Sequence, residues 1–246
     1  MNRIETIVTE CIDWIRKYFK ETGGEKAVIG ISGGKDSTIA AALCVEALGA
    51  ENVIGVMMPN GRQSDIKDSY EIIKYLGIKS YNIDISDSFD DIISELIFFT
   101  DLVISNQTKI NLAPRIRMAT LYAIAQSCNG RVCNTCNYSE DYVGYSTLYG
   151  DLAGDFSPLG KFFVSEIIEI GDFLGLPKEL VHKTPSDGLC GLTDEDNLGF
   201  TYDELECYIK EYKNCKHSKL IEKKINASRF KREMIKIPTF DPYSIF

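Results

Sequence analysis

The sequence VIGISGGKDS, residues 28–37, decides the fold of this 246-residue chain. The apolar run over 27–31 predicts a buried strand, and residues 38–48, with four alanines and no helix breaker, predict the helix that follows. Between them, Gly33 and Gly34 allow the backbone to approach an anion closely, and the helix N-terminus points toward it. The stretch therefore predicts a phosphate-binding loop.

The spacing of this loop excludes the two best-known phosphate-binding patterns. A Walker A loop places four residues between its first Gly and Gly-Lys, and Ser or Thr after the Lys, whereas Ile29 and Asp36 hold the deciding positions here. The dinucleotide pattern G-x-G-x-x-G is absent, because Ser32 stands two positions after Gly30. The remaining pattern, Ser-Gly-Gly-x-Asp-Ser after a strand, resembles the loop of the ATP pyrophosphatases. A glycine-rich turn without a ligand is the structural alternative.

Asp36 lies in the predicted first turn of the helix. A carboxylate that faces phosphate groups requires a divalent cation between them. Mg²⁺ is therefore expected at this site.

Composition excludes several classes of function. The net charge of −9 argues against a nucleic-acid partner, and the basic stretch 210–236 is interpreted as a solvated terminal helix. Residues 1–20 form an amphipathic pattern with acidic side chains rather than a signal peptide, and no apolar run is long enough to span a membrane. These features predict a cytoplasmic protein without a membrane partner.

The cysteines and histidines give little support for other chemistry. Cys133 and Cys136 have the spacing of a zinc or redox pair, but a second C-x-x-C is absent and the two histidines lack ligand spacing. With only two histidines, a Ser-His-Asp or Cys-His mechanism is disfavoured. The chemistry is expected to come from a metal, lysines and carboxylates.

Strand and helix patterns alternate through the first half of the chain. Strands are predicted over 52–58, 79–85 and 131–134, and helices over 64–76, 87–99, 111–127 and, later, 165–174. This alternation indicates an α/β fold with a doubly wound parallel sheet flanked by helices. Ligands of such sheets bind beyond the carboxyl ends of the strands, so the loop at 32–37 and the segments near Met58, Ile85 and 135–140 are expected to converge on one site.

Two loops rich in Gly, Ser, Asp and Pro, residues 149–160 and 183–196, are predicted to lie over this site. Polar loops above a nucleotide cleft often close over the substrate as lids. Ordinary surface loops would have the same composition.

Five segments identify the chain with a known family. Thr135-Cys-Asn-Tyr-Ser-Glu140 resembles the G-T-x-N-x-S-E segment of the ammonia-dependent NAD synthetases, and the residues around Arg115 resemble their N-x-x-A-R-x-R-M helix. Residues 149–158 are similar to their Y-G-D loop, and residues 185–189 and 193–202 are similar to their mobile loop and the helix after it. The matches keep the family's order over about residues 28–235.

The resemblance implies an adenine nucleotide alpha-hydrolase-like fold and one NAD synthetase-like domain, residues 1–246, without a glutaminase domain. An N-terminal helix and a C-terminal helical extension belong to this expectation. The implied reaction converts deamido-NAD, ATP and ammonia to NAD, AMP and pyrophosphate through an acyl-adenylate. The resemblance also implies a homodimer, for which the apolar faces of the N-terminal helix and of helix 111–127 are the candidate interface elements.

Site residues follow from matching positions in the family motifs. Asp36 and Glu140 are the candidate metal ligands, and Asp151 and Lys35 are the candidate catalytic residues. Deamido-NAD is expected to contact Asn111, Arg115, Asp155 and Lys231. ATP is expected to contact Gly30, Ile31, Ser32, Gly33, Gly34, Lys35, Asp36, Ser37, Met58, Thr135 and Ser186.

Three of these residues also have a structural interpretation. Asp151 would be a turn residue, Arg115 would form a pair on the helix surface, and Glu140 would be an acid at a helix N-terminus. Val164 replaces a family lysine that meets ATP phosphates, and Lys161 or Lys35 is the candidate replacement. Leu148 and Phe230 also depart from the family pattern. A related ligase for a different carboxylate, or a nucleotide-binding relative without catalysis, are therefore the alternative functions.

Overall fold

The computed structural model describes residues 2–62, 66–183, 193–210, 215–234 and 239–242, without the side chains of 233–234. Four strands form a parallel sheet in the order β3-β2-β1-β4. The strands are β1 (Lys26–Gly30), β2 (Val53–Met57), β3 (Lys79–Asn82) and β4 (Gly130–Val132). The helices are α1 (Arg3–Thr22), α2 (Lys35–Leu48), α3 (Ile66–Leu76), α4 (Ser86–Phe99), α5 (Asn106–Ser127), α6 (Tyr138–Val143), α7 (Val164–Phe173), α8 (Lys178–Val181), α9 (Asp194–Leu198), α10 (Tyr202–Lys210) and α11 (Ser218–Met234).

Strand β1 is buried on both faces, which is why its sequence is almost continuously apolar. Ala27 and Ile29 face a core formed with α1, α2 and α7. Val28 faces the opposite core, formed with β2, α4 and α5. Helices therefore cover both faces of the sheet, and the predicted doubly wound α/β fold is confirmed.

The strand order places the phosphate loop beside the segment after β4. The chain proceeds from β1 to β2 and β3 on one side, and then returns to pair β4 with the other side of β1. At such a point, the loops that follow two neighbouring strands diverge and leave a crevice at their carboxyl ends. The crevice lies here between the loop after β1 and the loop after β4.

Several predicted boundaries shift by a few residues. Helix α2 begins at Lys35 rather than at residue 38, so that Asp36 lies in its first turn as expected. Strand β3 ends at Asn82 rather than at residue 85. Helix α5 begins at Asn106, five residues early, and continues through Pro114. The predicted C-terminal helical extension is confirmed by α11.

The apolar face of α1 is used within the chain. Ile7, Cys11 and Ile15 are buried in the core against α2 and α7, and Trp14 and Tyr18 pack against the same cluster. The expectation that this face forms a dimer interface is therefore not supported by its packing. No helix in the described ranges combines the length and the apolar character needed to cross a membrane.

Candidate active site

The loop between β1 and α2 is ordered by its own serine side chains. The hydroxyl of Ser32 lies 3.1 Å from the hydroxyl of Ser37 and accepts a hydrogen bond from the Gly34 N–H over 3.2 Å. The hydroxyl of Ser37 donates to the Gly34 carbonyl over 3.1 Å. Gly33 has a φ of +80°, which favours glycine, and a Cβ there would lie 3.0 Å from the Asp68 Cβ.

The N-terminus of α2 opens directly from this loop. Gly34 occupies the N-cap position and offers no capping side chain, so the first N–H groups of the helix are available to a ligand. A 14-residue helix also places the positive end of its dipole there. The loop is built to bind an anion.

Asp36 is linked to the segment that follows β4. The Asn137 side-chain amide donates to Asp36 Oδ1 over 3.1 Å. Asn137 also caps α6, because its Oδ1 accepts from the Glu140 N–H over 3.0 Å while Glu140 Oε2 accepts from the Asn137 N–H over 3.2 Å. The two predicted metal ligands, Asp36 and Glu140, are thus brought to one crevice by a single capping residue.

Burial raises the pKa of Glu140 well above its usual range, and the neighbouring Asp36 carboxylate raises it further. The Lys35 ammonium opposes this rise. Two carboxylates close together in a buried crevice form an unfavourable arrangement that a cation would relieve. The described residues contain no cluster of three or more His, Cys, Asp or Glu side chains that could hold a metal by themselves.

Lys35 supplies a buried cation at this crevice. Its side chain is 2% exposed, and its Nζ donates to Asp36 Oδ2 over 3.0 Å. The Nζ atom also lies 5.8 Å from the ring centroid of Tyr202, in a cation–π arrangement. Lys35 therefore places a buried positive charge beside the phosphate loop.

A cavity of about 900 Å³ opens at this crevice and runs between α5, α6 and α11. Its volume is within the range of small-molecule binding sites. Most of the predicted site residues line it: Gly30, Ile31, Ser32, Gly34, Lys35, Asp36, Ser37, Met58, Asn111, Thr135, Glu140, Asp151 and Lys231.

Two predicted deamido-NAD contacts, Arg115 and Asp155, and one predicted ATP contact, Gly33, are absent from the cavity lining. Arg115 is exposed, and its Nε donates to the Leu148 carbonyl over 3.2 Å. The Asp155 carboxylate accepts from the Val132 N–H over 2.7 Å, and the Tyr122 hydroxyl is a second partner. Asp155 thus fixes the end of β4. Ser186, predicted to contact ATP, lies outside the described residues.

Arg117 takes the inward position on α5. It lines the cavity, and its Nε donates to the Met58 carbonyl over 2.9 Å. Burial lowers its pKa, and the nearby Asp151 carboxylate partly opposes this effect. The sequence motif contains both arginines, and only the packing of α5 distinguishes them.

Asp151 lies at the cavity wall and accepts a hydrogen bond from the Thr147 N–H over 2.9 Å. Part of Asp151 is exposed to solvent, but its carboxylate is surrounded by protein, and this burial raises its pKa. The hydrogen bonds from Thr147 oppose the rise. An Asp with a raised pKa is a stronger base than an exposed one.

Helix α11 presents one face to the cavity, through Lys224, Ala227, Ser228 and Lys231. Lys231 Nζ donates to the Gly144 carbonyl over 2.8 Å and also to the Ser146 carbonyl. Burial lowers the pKa of both Lys224 and Lys231. Lys224 was not singled out from the sequence, although its spacing of seven residues from Lys231 places it on the same helix face.

The departures from the family pattern have distinct surroundings. Val164 begins α7 and is buried in an apolar cluster with Leu198 and Tyr202. Lys161 lies outside the main cavity, with its Nζ 5.7 Å from the centroid of the Tyr138 ring. Of the two lysines proposed as replacements for the missing cation, only Lys35 reaches the phosphate loop.

The cysteine pair after β4 is buried. Cys136 Sγ donates to the Asp151 carbonyl over 3.2 Å, and burial raises the pKa of both Cys133 and Cys136. Thiols with raised pKa values are poor nucleophiles and poor metal ligands.

Comparisons of the sequence and of the structure with known proteins match NAD synthetases and an NMN synthetase. The family model described as NAD synthase matches residues 7–237. The NH(3)-dependent NAD(+) synthetase of Finegoldia magna is 38% identical over 230 residues, which cover 93% of each chain. The solved NMN synthetase of Francisella tularensis is 34% identical with a TM-score of 0.85, covering 98% of this chain and all of that one. The solved NH3-dependent NAD synthetase of Campylobacter jejuni is 28% identical with a TM-score of 0.78, covering 96% and 99%.

Proposed function

Because the chain belongs to the NAD synthase family, we propose that it joins ammonia to the carboxylate of deamido-NAD, with ATP as co-substrate, to give NAD, AMP and pyrophosphate. The enzyme is a ligase that forms a C–N bond. One observation carries the assignment to this site: the hydrogen bond from Asn137 to Asp36 joins the phosphate loop to the Glu140 helix at the mouth of the cavity.

A carboxylate is a poor acyl donor, so the reaction needs two steps. One carboxylate oxygen of deamido-NAD attacks the α-phosphorus of ATP, and pyrophosphate leaves. Ammonia then attacks the carbonyl carbon of the acyl-adenylate, the nitrogen loses one proton, and AMP leaves with the shared oxygen. The loop around Ser32, Gly34 and Ser37 supplies N–H and hydroxyl groups to the phosphates during the first step.

The residues at the crevice fit Mg²⁺. This ion is usually held by one or two protein carboxylates together with phosphate oxygens of the substrate. Asp36 and Glu140 supply two carboxylates. Burial and the repulsion from Asp36 raise the pKa of Glu140, and a divalent cation would relieve that repulsion. When bound, Mg²⁺ neutralises the charge that accumulates on the triphosphate and on the departing pyrophosphate.

Lys35 supplies a further positive charge. Its ammonium is buried beside the loop that faces the phosphates, where a charge is weakly screened. We assign it the electrostatic role that the family gives to the lysine at the position of Val164. Thr135 and Met58 complete the predicted ATP contacts on the cavity wall, and Ser186 is retained as a contact from outside the described residues.

The amidation step requires free ammonia rather than ammonium. Asp151, with its raised pKa, is the proposed base that accepts a proton from the incoming ammonium. Lys231 and Asn111, which line the same part of the cavity, are the proposed contacts of deamido-NAD. Arg115 and Asp155 do not line the cavity. Any contact that they make with deamido-NAD therefore involves a part of the dinucleotide that extends beyond the cavity.

A homodimer is part of the proposal. An apolar patch on α4 and the residues after it is exposed, with Phe98 80%, Phe99 78% and Val103 95% accessible. Exposed apolar patches of this kind mark interaction surfaces. Ile110 of α5 is also exposed and lines the cavity, so a second copy that covered Ile110 as well as this patch would lie beside the substrate. We take residues 1–246 as one synthetase domain in the cytoplasm, with ammonia as the nitrogen donor.

An end-point assay with ATP, Mg²⁺, deamido-NAD and ammonium tests the proposal. Equal amounts of NAD, AMP and pyrophosphate are expected, and Asp36→Ala should abolish all three. Nicotinic acid mononucleotide serves as the parallel acceptor, because the Francisella tularensis protein is named for NMN synthesis. If only the mononucleotide were amidated, it would replace deamido-NAD as the proposed substrate. Formation of neither amide would overturn the proposal.

A further inference from the structure

Lys35 lines one cavity together with acidic residues from different parts of the fold. Its Nζ is bonded to Asp36 on its own helix. Asp194, in the first turn of α9, lines the same cavity and is 6% exposed. Glu140 is a third carboxylate in the lining of this cavity. The Lys35 ammonium therefore shares one cavity with more carboxylates than the one that it bonds.

Tyr202 connects the ammonium to Asp194. The Lys35 Nζ lies 5.8 Å from the centroid of the Tyr202 ring, and the Tyr202 hydroxyl donates to Asp194 Oδ2 over 3.4 Å. Tyr202 begins α10 and is buried. One aromatic side chain thus contacts the ammonium with its face and Asp194 with its hydroxyl.

The observed bonds of Asp36 conflict with its proposed role as a metal ligand. Oδ2 accepts from Lys35 and Oδ1 accepts from Asn137. A divalent cation at Asp36 must compete with the Lys35 ammonium, because two positive charges at one carboxylate oxygen repel each other. Lys35 cannot leave for solvent without a large rearrangement, since its side chain is 2% exposed. Its charge then needs another counter-ion nearby.

We propose that Asp194 is a positioning residue that takes over the Lys35 ammonium when a divalent cation binds Asp36, with Tyr202 as the platform on which the ammonium stays. The inference rests on the proposed metal site. It assigns α9 and α10 a part in metal binding, although neither helix supplies a ligand to the metal. The phosphate loop and the α9–α10 segment are coupled by the position of one ammonium group.

The test is a titration of the nucleotide-free full chain with Mn²⁺, followed by electron paramagnetic resonance of the free ion. Mn²⁺ accepts the same oxygen ligands as Mg²⁺. Asp194→Asn should weaken Mn²⁺ binding about tenfold, because the ammonium then remains on Asp36. Lys35→Met should bind Mn²⁺ at least as tightly as the parent chain, because the competitor is gone.

The double variant Lys35→Met/Asp194→Asn distinguishes the mechanism. Without the ammonium, Asp194 no longer influences which cation is held at Asp36, so the double variant should bind Mn²⁺ like Lys35→Met. An Asp194→Asn effect of the same size in both backgrounds would show that Asp194 acts on the metal directly, and would overturn the inference. Unchanged binding in Asp194→Asn alone would also overturn it.

Two control variants complete the design. Asp203→Asn removes an exposed carboxylate from the first turn of α10 and should leave Mn²⁺ binding unchanged. Equal weakening by Asp203→Asn would indicate a general charge effect and overturn the proposed role of Asp194. Asp36→Asn should abolish the site. If it does not, the proposed metal site fails, whatever the result for Asp194.

Discussion

The side-chain amide of Asn137 donates a hydrogen bond to the Asp36 carboxylate over 3.1 Å, although 101 positions separate the two residues. The contact exists because β4 pairs with β1 and brings the loop after β4 beside the phosphate loop. Asn137 simultaneously caps the helix that carries Glu140. A single polar side chain therefore sets the relative position of the two carboxylates that we assign to the metal.

Replacement of Asn137 should separate catalysis from folding. Asn137→Asp keeps an oxygen that can cap α6 but places a second carboxylate opposite Asp36, and we expect kcat/KM to fall about 100-fold, which corresponds to about 2.7 kcal/mol. The midpoint of thermal unfolding should change by only a few degrees. Steady-state kinetics and calorimetry measure the two effects. Activity close to that of the parent chain would contradict the assigned role of the contact.

Gly33 is expected to tolerate no side chain. Gly33→Ala forces an L-residue to a φ of +80° and brings a Cβ to 3.0 Å from Asp68 and 3.1 Å from the Ser69 nitrogen. Gly175→Ala, with a φ of +69° and open space around it, is the matched control. The control should lose about 1 kcal/mol of unfolding free energy, and Gly33→Ala about 1–2 kcal/mol more with a raised KM for ATP. Equal losses in urea unfolding would show that the contact with α3 is unimportant.

Asp141 should make the stability of the protein depend on pH. Burial, assisted by Asp151, raises its pKa from 3.8 to about 7, while Arg232 and Lys161 oppose the rise. The folded chain then binds more protons than the unfolded chain between these two values, so the contribution of Asp141 to the unfolding free energy falls as pH rises from about 4 to about 7. Above the pKa of Asp141 in the folded chain, its contribution to the unfolding free energy no longer changes with pH.

Asp141→Asn removes this dependence. Unfolding free energies of both chains, measured between about pH 5 and pH 8, should give a difference, parent minus variant, that decreases up to about pH 7 and then levels. A difference that stays constant over this range would mean that Asp141 is ionised throughout in the folded chain.

The apolar patch should govern association. Phe98→Ser/Phe99→Ser removes two of its most exposed rings, and we expect at least a tenfold weaker dimer by sedimentation velocity. Phe173→Ser, on an exposed apolar residue of α7 outside the patch, is the control and should leave the dimer intact. Equal effects of the two substitutions would place the interface elsewhere.

The phosphate-binding core was predictable from local sequence. The buried strand, the glycine loop and the alanine-rich helix follow from periodicity, and Asp36 was expected in the first helical turn, where the structure places it. The choice between Arg115 and Arg117 was not predictable in this way. Two residues apart on a helix, they point in nearly opposite directions, and only the packing of α5 determines which one faces the cavity.

The grouping of Lys35 with Asp194 and Tyr202 was also hidden from the sequence. No spacing rule relates residues that are more than 150 positions apart, and Asp194 and Tyr202 read locally as ordinary residues of two short helices. Asp155 is the opposite case, because a sequence motif did single it out. A motif match indicated a substrate contact, whereas its carboxylate is held by the Val132 N–H in the structure, and its contact with deamido-NAD stays a prediction.

The first step of the proposed reaction is the attack of the deamido-NAD carboxylate on the α-phosphorus of ATP, beside the loop that precedes Asp36. The most direct measurement uses deamido-NAD labelled with ¹⁸O in its nicotinate carboxylate, with mass spectrometry of the AMP formed. We expect one ¹⁸O atom in the phosphate of each AMP molecule, and no AMP from Asp36→Ala. AMP without label, or ADP in place of AMP, would contradict the acyl-adenylate and the mechanism proposed for this site.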